Sequence, residues 1–446
     1  MEFMKPDAFK DNARKAIADE NLQSAMTMLN ASMIPNRQGA VDNLPEFSQL
    51  SHRGRELKDH ILGNLDFYLE RFERNCRAAG GRVHWCSTAD EARAAVLEVC
   101  RSVDARLVTK GKSMIAEEIH LNEFLEQNGI TPVETDLGEY IIQLAEEPPS
   151  HIIGPAIHKT KDQVSDLFLQ HHAKLGHTER QTEPPKMVNE ARQILREKYF
   201  NAEVGITGAN YLIAETGSSI IVTNEGNGDL TQTLPKIHIV VTSLEKVVPT
   251  LEDATTLLRL LARSATGQEF SAYTTISTGP RREGDLDGPE EYHVILLDNG
   301  RSAMLGGEVR EMLHCIRCGA CMNHCPVYQT VGGHTYGTVY VGPMGAVLSP
   351  ALLGVSGTRH LPCASTLCGR CEEVCPVSIP LPRLLRQWRE RAFEAKDVPQ
   401  LERWGVAAWA YFAKRPWIYG LGARLAMRGL AFLGRERGRV SKLWFA

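Results

Sequence analysis

Eight of the chain's eleven cysteines fall between residues 315 and 375, in two closely spaced sets. The first is Cys315-x2-Cys318-x2-Cys321-x3-Cys325-Pro326, within "HCIRCGACMNHCPVYQT". Two-residue gaps let three thiolates of one loop converge on one face of a cubane. This is the spacing of a bacterial [4Fe–4S] half-site, in which the fourth cysteine serves the other cluster. Structural zinc uses paired C-x2-C knuckles and four tetrahedral ligands. Three cysteines at two-residue gaps followed by Cys-Pro fit that poorly.

The second set, in "LPCASTLCGRCEEVCPVSIPLP", ends Cys368-x2-Cys371-x3-Cys375-Pro376. Cross-ligation then predicts two iron–sulfur clusters, both expected as [4Fe–4S]. One takes Cys315, Cys318, Cys321 and Cys375. The other takes Cys325, Cys368, Cys371 and one more ligand. A regular motif would put that ligand at position 365, which is Ser365. The nearest thiol is Cys363, the favoured ligand through a wider loop. A [3Fe–4S]-like site or a non-cysteine ligand stays open. Residues 326–362 separate the sets, too long a stretch for a tight ferredoxin hairpin pair. A helical two-cluster module, as in succinate dehydrogenase iron–sulfur subunits, suits this spacing. Two clusters on one small module relay single electrons.

A chain of 446 residues predicts two or three domains. Its net charge of −4 argues against a general nucleic-acid binder. Residues 401–446 nonetheless carry nine Lys/Arg against two Asp/Glu. No secretory signal is expected from "MEFMKPDAFKDNARKAIADEN", and no uninterrupted apolar window of about 18 residues suggests a spanning helix. The expected location is the cytoplasm, where spaced cysteines read as metal or redox sites. Cys76, Cys86 and Cys100 are expected as small buried hydrophobes.

Upstream of the cysteines the pattern is α/β. One helix is expected over Ala8–Asn30, broken by Pro35, Asn36 and Gly39. From Gly54 to Gly80, Leu57, Ile61, Leu65, Tyr68, Leu69 and Phe72 share a helical face. "GRVHWC", "ARLVTKG", "ITPVET" and "HIIGPA" read as strands. "STADEARAAVLEVCRS" reads as a helix capped by Ser87 or Thr88, and "KSMIAEEIHLNEFLEQNG" as one ending at Gly129. "NYLIAETGSSIIVTNEGNG" (210–228) reads as a hairpin turning at Thr216-Gly217. "PKIHIVVTS", "AYTTISTG" and "YHVILLDNG" are further strands. Such alternation predicts a mostly parallel sheet with helices on both faces. The expected domains are an N-terminal helical arm (1–50), an α/β domain (51–300), a helical two-cluster domain (301–395) and a basic, aromatic helical tail (396–446).

The cysteine motifs, "YVGPMGAVLSPALLG" (340–354) and "ITGANYLIAETGSSIIVTNEGNGDL" (206–230) together resemble the lactate utilization protein B family. So do residues 109–144, "PSHIIGPAIHKT" (149–160) and "PKIHIVVTSLEKVVPTLEDA" (235–254). The resemblance implies a lactate-utilization α/β domain, of sugar-isomerase and CoA-transferase type, fused to a helical two-cluster ferredoxin module. It implies the iron–sulfur subunit of a three-component system oxidising L-lactate to pyruvate. It also implies two partners: a cysteine-rich subunit of heterodisulfide-reductase type and a short lactate-utilization domain protein. No catalytic base is assigned. The alternatives are a redox-sensing or scaffold protein and, less favoured, an acyl or CoA transferase using Glu215.

Other residues carry weaker expectations. Lys110 and Lys112 in "TKGKSM" could bind an anion at a helix start, or be solvated lysines beside a glycine turn. Glu215 is expected to stabilise a turn. "GITGAN" (205–210) could bring backbone close to a ligand. His171 and His172 are expected on a solvated helix face. His314 and His324 could hydrogen-bond a cluster, or be exposed loop histidines. The aromatic, basic tail could lie peripherally on a membrane, dock on a partner, or pack on its own domain.

Overall fold

Short runs of branched apolar residues alternate with amphipathic helices from residue 82 to residue 297, and most become strands. The computed structural model describes residues 6–433. Its strands are β1 (Arg82–Cys86), β2 (Leu107–Gly111), β3 (Thr131–Glu134), β4 (Val204–Thr207), β5 (Tyr211–Ile213), β6 (Ser218–Thr223), β7 (Ile237–Ser243), β8 (Val247–Val248), β9 (Tyr273–Ser277) and β10 (Glu291–Leu297). Six form one sheet, ordered β1-β10-β7-β4-β2-β3, and every pairing in it is parallel. Strand β7 is buried along its whole length, as a parallel strand covered on both faces requires. Side chains alternate across the sheet. Val240, Val294 and Leu296 join one apolar core, with the helices Phe47–Gly63, Leu65–Ala78 and Leu251–Ala265. Ile237, Ile239, Val241, Ile295 and Leu297 join another, with the helices Ala89–Arg101 and Leu121–Gln127. The expected parallel sheet between helical layers is present. Thr88 caps the Ala89–Arg101 helix by accepting from the Glu91 N–H.

The hairpin forms between β5 and β6, with Tyr211 opposite Ile220. It belongs to a second, mixed sheet, ordered β8-β5-β6-β9. Its connection ends at Gly217, φ +71°, where a Cβ would stand 2.1 Å from the Cys76 backbone nitrogen. Only glycine lets the turn lie that close to the Leu65–Ala78 helix.

Four local expectations fail. The pattern over Gly54–Gly80 becomes two helices, Phe47–Gly63 and Leu65–Ala78, parted at Asn64, whose φ of −136° is not helical. The N-terminal helix is divided at Asp19, whose side chain accepts from the Leu22 N–H (3.1 Å) and starts a new helix, Glu20–Asp42. That helix runs through Pro35. A mid-helix proline costs about 3 kcal/mol, but both halves are anchored. Met26 and Leu29 are buried before it; after it, Arg37 is buried and donates to the Val374 carbonyl (2.9 Å). "KSMIAEEIHLNEFLEQNG" becomes two helices, Met114–Glu118 and Leu121–Gln127, parted at His120 with φ +50°. "HIIGPA" is a loop, not a strand. There His151 Nδ1 accepts from the Ile153 and Gly154 N–H groups, and the Ser150 N–H donates to the Pro155 carbonyl. These local bonds take the place of ladder pairing.

One apolar core draws Met26 from the arm, Leu257 from the α/β segment, and Leu313 and Leu384 from the cysteine segment. Positions 50 and 300 therefore mark changes of architecture inside one packed unit, which ends at Trp388. A second unit begins at Arg389. It contains the helices Gln400–Ala413 and Pro416–Leu433. The expected tail beyond Leu433 lies outside the described residues. Among the described residues, no helix is long and apolar enough to cross a membrane.

Candidate iron–sulfur centre and adjoining cavity

The two cysteine motifs repeat one backbone pattern. Arg317 and Leu367 take positive φ (+63° and +55°), as do Gly319 and Gly369 (+76° and +86°). Positive φ is uncommon for Arg or Leu. Each glycine opens a short helix, Ala320–Asn323 or Arg370–Glu373. Cys325 and Cys375 follow these helices, each directly before a proline.

Cys315, Cys318, Cys321 and Cys375 line a single cavity with Ile152, Met344 and Val377. Burial, then the neighbouring Cys315, Cys318 and Cys375, pushes the Cys321 thiol well above its usual range. Burial, then Cys325 and Cys368, pushes the Cys371 thiol up to about 12. Cys368 is shifted the other way, chiefly by the Arg370 backbone N–H. Backbone N–H groups of Arg317 and Ile379 donate to Cys315 Sγ and Cys375 Sγ, each at 3.4 Å. Converging thiols, apolar walls and N–H groups aimed at sulfur suit an iron–sulfur group, which needs thiolates stabilised away from water. Cys363 is exposed. Ser365 Oγ accepts from the Leu367 N–H at 3.1 Å.

A larger cavity, of about 160 Å³, adjoins this site. It opens at the carboxyl ends of the parallel strands, where α/β sheets bind ligands. Ser113 follows β2, Asp136 follows β3, Gly208 and Asn210 follow β4, and Lys246 lies just after β7. The "GITGAN" loop thus reaches it. A Cβ on Gly208 would stand 2.4 Å from the Lys112 carbonyl oxygen. Arg317, between two motif cysteines, and Tyr340 complete the wall. Ile152 lines both cavities.

Behind that wall lies a buried ion network. Arg301 pairs with Glu118 (2.5 Å) and Glu245 (3.3 Å). Arg317 reaches Glu245 at 3.5 Å, and Tyr340 Oη donates to Glu118 at 2.5 Å. Burial would raise the Glu245 carboxyl, but Arg301 and Arg317 outweigh it and hold it down at about 2. Lys58 donates to the Glu245 backbone carbonyl at 2.6 Å. Sequence reasoning missed this group. Its one signal was a charged pair, Glu245-Lys246, inside the β-branched-rich run "IHIVVTSLEKVV".

The weaker candidates resolve individually. Lys110 is not solvated. It is 1% exposed and paired with Glu117 (2.6 Å) and Glu134 (2.7 Å). Lys112 lines the large cavity, paired with Asp136. Burial, Glu134 and Asp136 push the nearby Glu139 carboxyl well above the usual range. His172 is also buried, held by Tyr140 Oη (3.0 Å) and Glu190 (2.7 Å). His314 and His324 are buried rather than loop-exposed. His314 lies 3.0 Å from the Asp59 carboxylate, and His324 Nδ1 donates to the Ala320 carbonyl (2.9 Å). Glu215 is exposed at the β5–β6 connection and lines neither cavity. Cys76, Cys86 and Cys100 are buried as expected. Glu147, His158 and His334 have ligand atoms within 4.8 Å of one another. However, Lys159 pairs with Glu147, Ser150 and Glu147 hold both His158 nitrogens, and His334 donates to the Pro148 carbonyl. That group is a satisfied hydrogen-bond network.

The parallel α/β sheet and the adjoining thiol sites define a two-part iron–sulfur protein. Its α/β part matches the LUD domain over residues 69–297, and its cysteine part matches a 4Fe-4S dicluster domain over residues 311–379. Lactate utilization protein B of Lysinibacillus sphaericus is 44% identical, covering 95% of this chain and 88% of that one. The Geobacillus kaustophilus protein of the same name is 43% identical (97% and 90%), and that of Bacillus subtilis 44% (94% and 87%). The chain belongs to the lactate utilization protein B family. A crystal structure of a duf162 family protein from Deinococcus radiodurans matches at 18% identity and a TM-score of 0.28, covering 52% of this chain and 98% of that one. That match is too loose to inform the fold.

Proposed function

We propose that this chain is the iron–sulfur electron-transfer subunit of a multi-component system oxidising L-lactate to pyruvate. The observation carrying this reading is the grouping of Cys315, Cys318 and Cys321 with the distant Cys375 around one cavity. Cys325, Cys368 and Cys371 form the neighbouring set. Clusters held there would supply one-electron acceptors. The chain's own residues position and tune. The Arg317 and Ile379 N–H groups stabilise charge on Cys315 and Cys375, while Met344 and Val377 keep water away. The names of the relatives support lactate as the substrate.

The proposed partners are the cysteine-rich, heterodisulfide-reductase-type subunit and the short lactate-utilization domain protein. The tail helices expose Trp404, Trp409 and Trp417 near Arg403, Lys414 and Arg415. This supports docking of the tail on a partner or an anionic membrane surface. The test is electron paramagnetic resonance on anaerobically purified chain mixed with both partners and L-lactate. Cluster reduction that requires both partners is expected. Clusters that stay oxidised would overturn the reading for this substrate.

A further inference from the structure

Lys246 is a buried cation without a counter-ion. It is 7% exposed, and no ion pair is formed by its ammonium among the described residues. The neighbouring Glu245 carboxylate is already committed to Arg301, Arg317 and Ser243. Arg317 Nη1 is buried with no hydrogen-bond partner. Four cations, Lys58, Lys246, Arg301 and Arg317, thus face two carboxylates, Glu118 and Glu245, with the Cys315 sulfur as a further neighbour of Lys58, Lys246 and Arg317. A buried charge left uncompensated is strongly unfavourable. Burial, reinforced by Arg317, pushes Lys246 down to about 7. Across the cavity, Asp136 is taken by Lys112, and burial with Glu134 and Asp136 pushes the Glu139 carboxyl well above its usual range, so neither neutralises this side.

Lys246 and Arg317 both line the large cavity, whose other walls include Ile115, Ile153 and Val241. We infer that this cavity binds a small carboxylate, its charge received by Lys246 and Arg317 and its short alkyl part by the apolar wall. The anion site follows from the place of Lys246 and the unpartnered Arg317 Nη1 on the cavity wall. Its identification with a 2-hydroxy acid rests on the function proposed above. Through Ile152, shared by both cavities, the ligand would lie beside the site of Cys315, Cys318, Cys321 and Cys375.

The test is calorimetric titration of the anaerobically purified full chain with L-lactate, its neutral amide and inorganic phosphate. L-lactate is expected to bind at least tenfold more tightly than the amide. Lys246→Met should weaken it at least tenfold with iron content retained, and Lys246→Arg should recover part of the loss. Absence of L-lactate binding, equal affinity for the amide, unchanged binding by Lys246→Met, or preference for phosphate would each overturn the site. The relay is read separately, by cluster reduction with L-lactate and both partners. If Lys246→Met is still reduced as the parent is, this site falls and the relay stands. If L-lactate binds the parent as described but never reduces its clusters, the site stands and the relay falls.

A second inference rests on the paired motifs. The hydrogen bonds from Gly319 to Cys325 recur fifty residues later from Gly369 to Cys375. At the same offset, Ser365 corresponds to Cys315. The Arg317 N–H donates to Cys315 Sγ, and the Leu367 N–H donates to Ser365 Oγ. We infer that Ser365 Oγ, rather than Cys363 Sγ, is the fourth ligand of the site formed by Cys325, Cys368 and Cys371. On ligation the O–H bond is replaced by an oxygen–iron bond, and the proton leaves to solvent.

Iron analysis and electron paramagnetic resonance of three variants test this. Cys363→Ser should leave both clusters unchanged. Ser365→Ala should lose iron at one cluster or convert it to a [3Fe–4S] signal, and Ser365→Cys should restore it. A changed spectrum in Cys363→Ser, or an unchanged one in Ser365→Ala, would overturn the assignment.

Discussion

The guanidinium carbon of Arg317 stands 4.7 Å from the ring centroid of Tyr340. A residue inside the first cysteine motif is thereby stacked on one from the segment between the motifs. The Tyr340 hydroxyl continues the chain of contacts to Glu118 and so to Arg301. Tyr340→Phe keeps the ring under Arg317 but removes one donor from a buried carboxylate. Losing such a hydrogen bond costs about 1–3 kcal/mol. Urea unfolding should show that loss with iron content unchanged. Unaltered stability would mean that Glu118 does not depend on this donor.

Arg301 is the heavier test of the same network. It is 1% exposed and serves both Glu118 and Glu245. Arg301→Met fills similar space but leaves two buried carboxylates with less compensation. Breaking a buried pair from one side costs about 3–5 kcal/mol. The variant should unfold at clearly lower denaturant, and Arg301→Met with Glu118→Gln should cost less than the sum of the single changes. Strict additivity would argue against a shared network.

The parts of this molecule legible in sequence are those with local periodicity. β7 was plain because "IHIVVTS" is a short run rich in β-branched residues, and the thiol sites because their spacing is itself the signal. Residues whose meaning depends on distant partners were not legible. Lys110 looks solvated until Glu117 and Glu134 are folded against it. Lys246 becomes conspicuous only when the Glu245 carboxylate is seen to be taken by Arg301 and Arg317. Pro35 stops a helix in isolation, yet here tertiary anchoring on both sides carries the helix through.

Acid should destabilise the α/β sheet through buried neutral histidine. His238 is buried in β7 with Nε2 2.8 Å from Thr207 Oγ1, and burial pushes it down to about 3. In the folded chain it therefore stays neutral to about pH 3, while the unfolded chain takes up a proton near pH 6.5. Protons favour unfolding in that window, so stability is retained above about pH 6.5 and lost as pH falls. The slope is about 1.4 kcal/mol per pH unit for one such group. Denaturant unfolding at pH 7 and pH 5 should show a shallower loss in His238→Gln than in the parent. Equal slopes would refute this account.

The thiol grouping makes a crossed prediction about which cluster each motif serves. Cys375 belongs to the second motif in sequence, yet it shares a cavity with the first three cysteines of the other. Cys325 belongs to the first motif, yet Cys368 is among the neighbours acting on its thiol. Cys375→Ser should therefore disturb the same cluster signal as Cys318→Ser, and Cys325→Ser the same signal as Cys371→Ser. Iron content and low-temperature electron paramagnetic resonance of the four variants, each purified anaerobically, would separate the pairs. If Cys375→Ser instead matched Cys371→Ser, each motif would hold its own cluster. The cavity lined by Cys315, Cys318, Cys321 and Cys375 would then not be a ligand set.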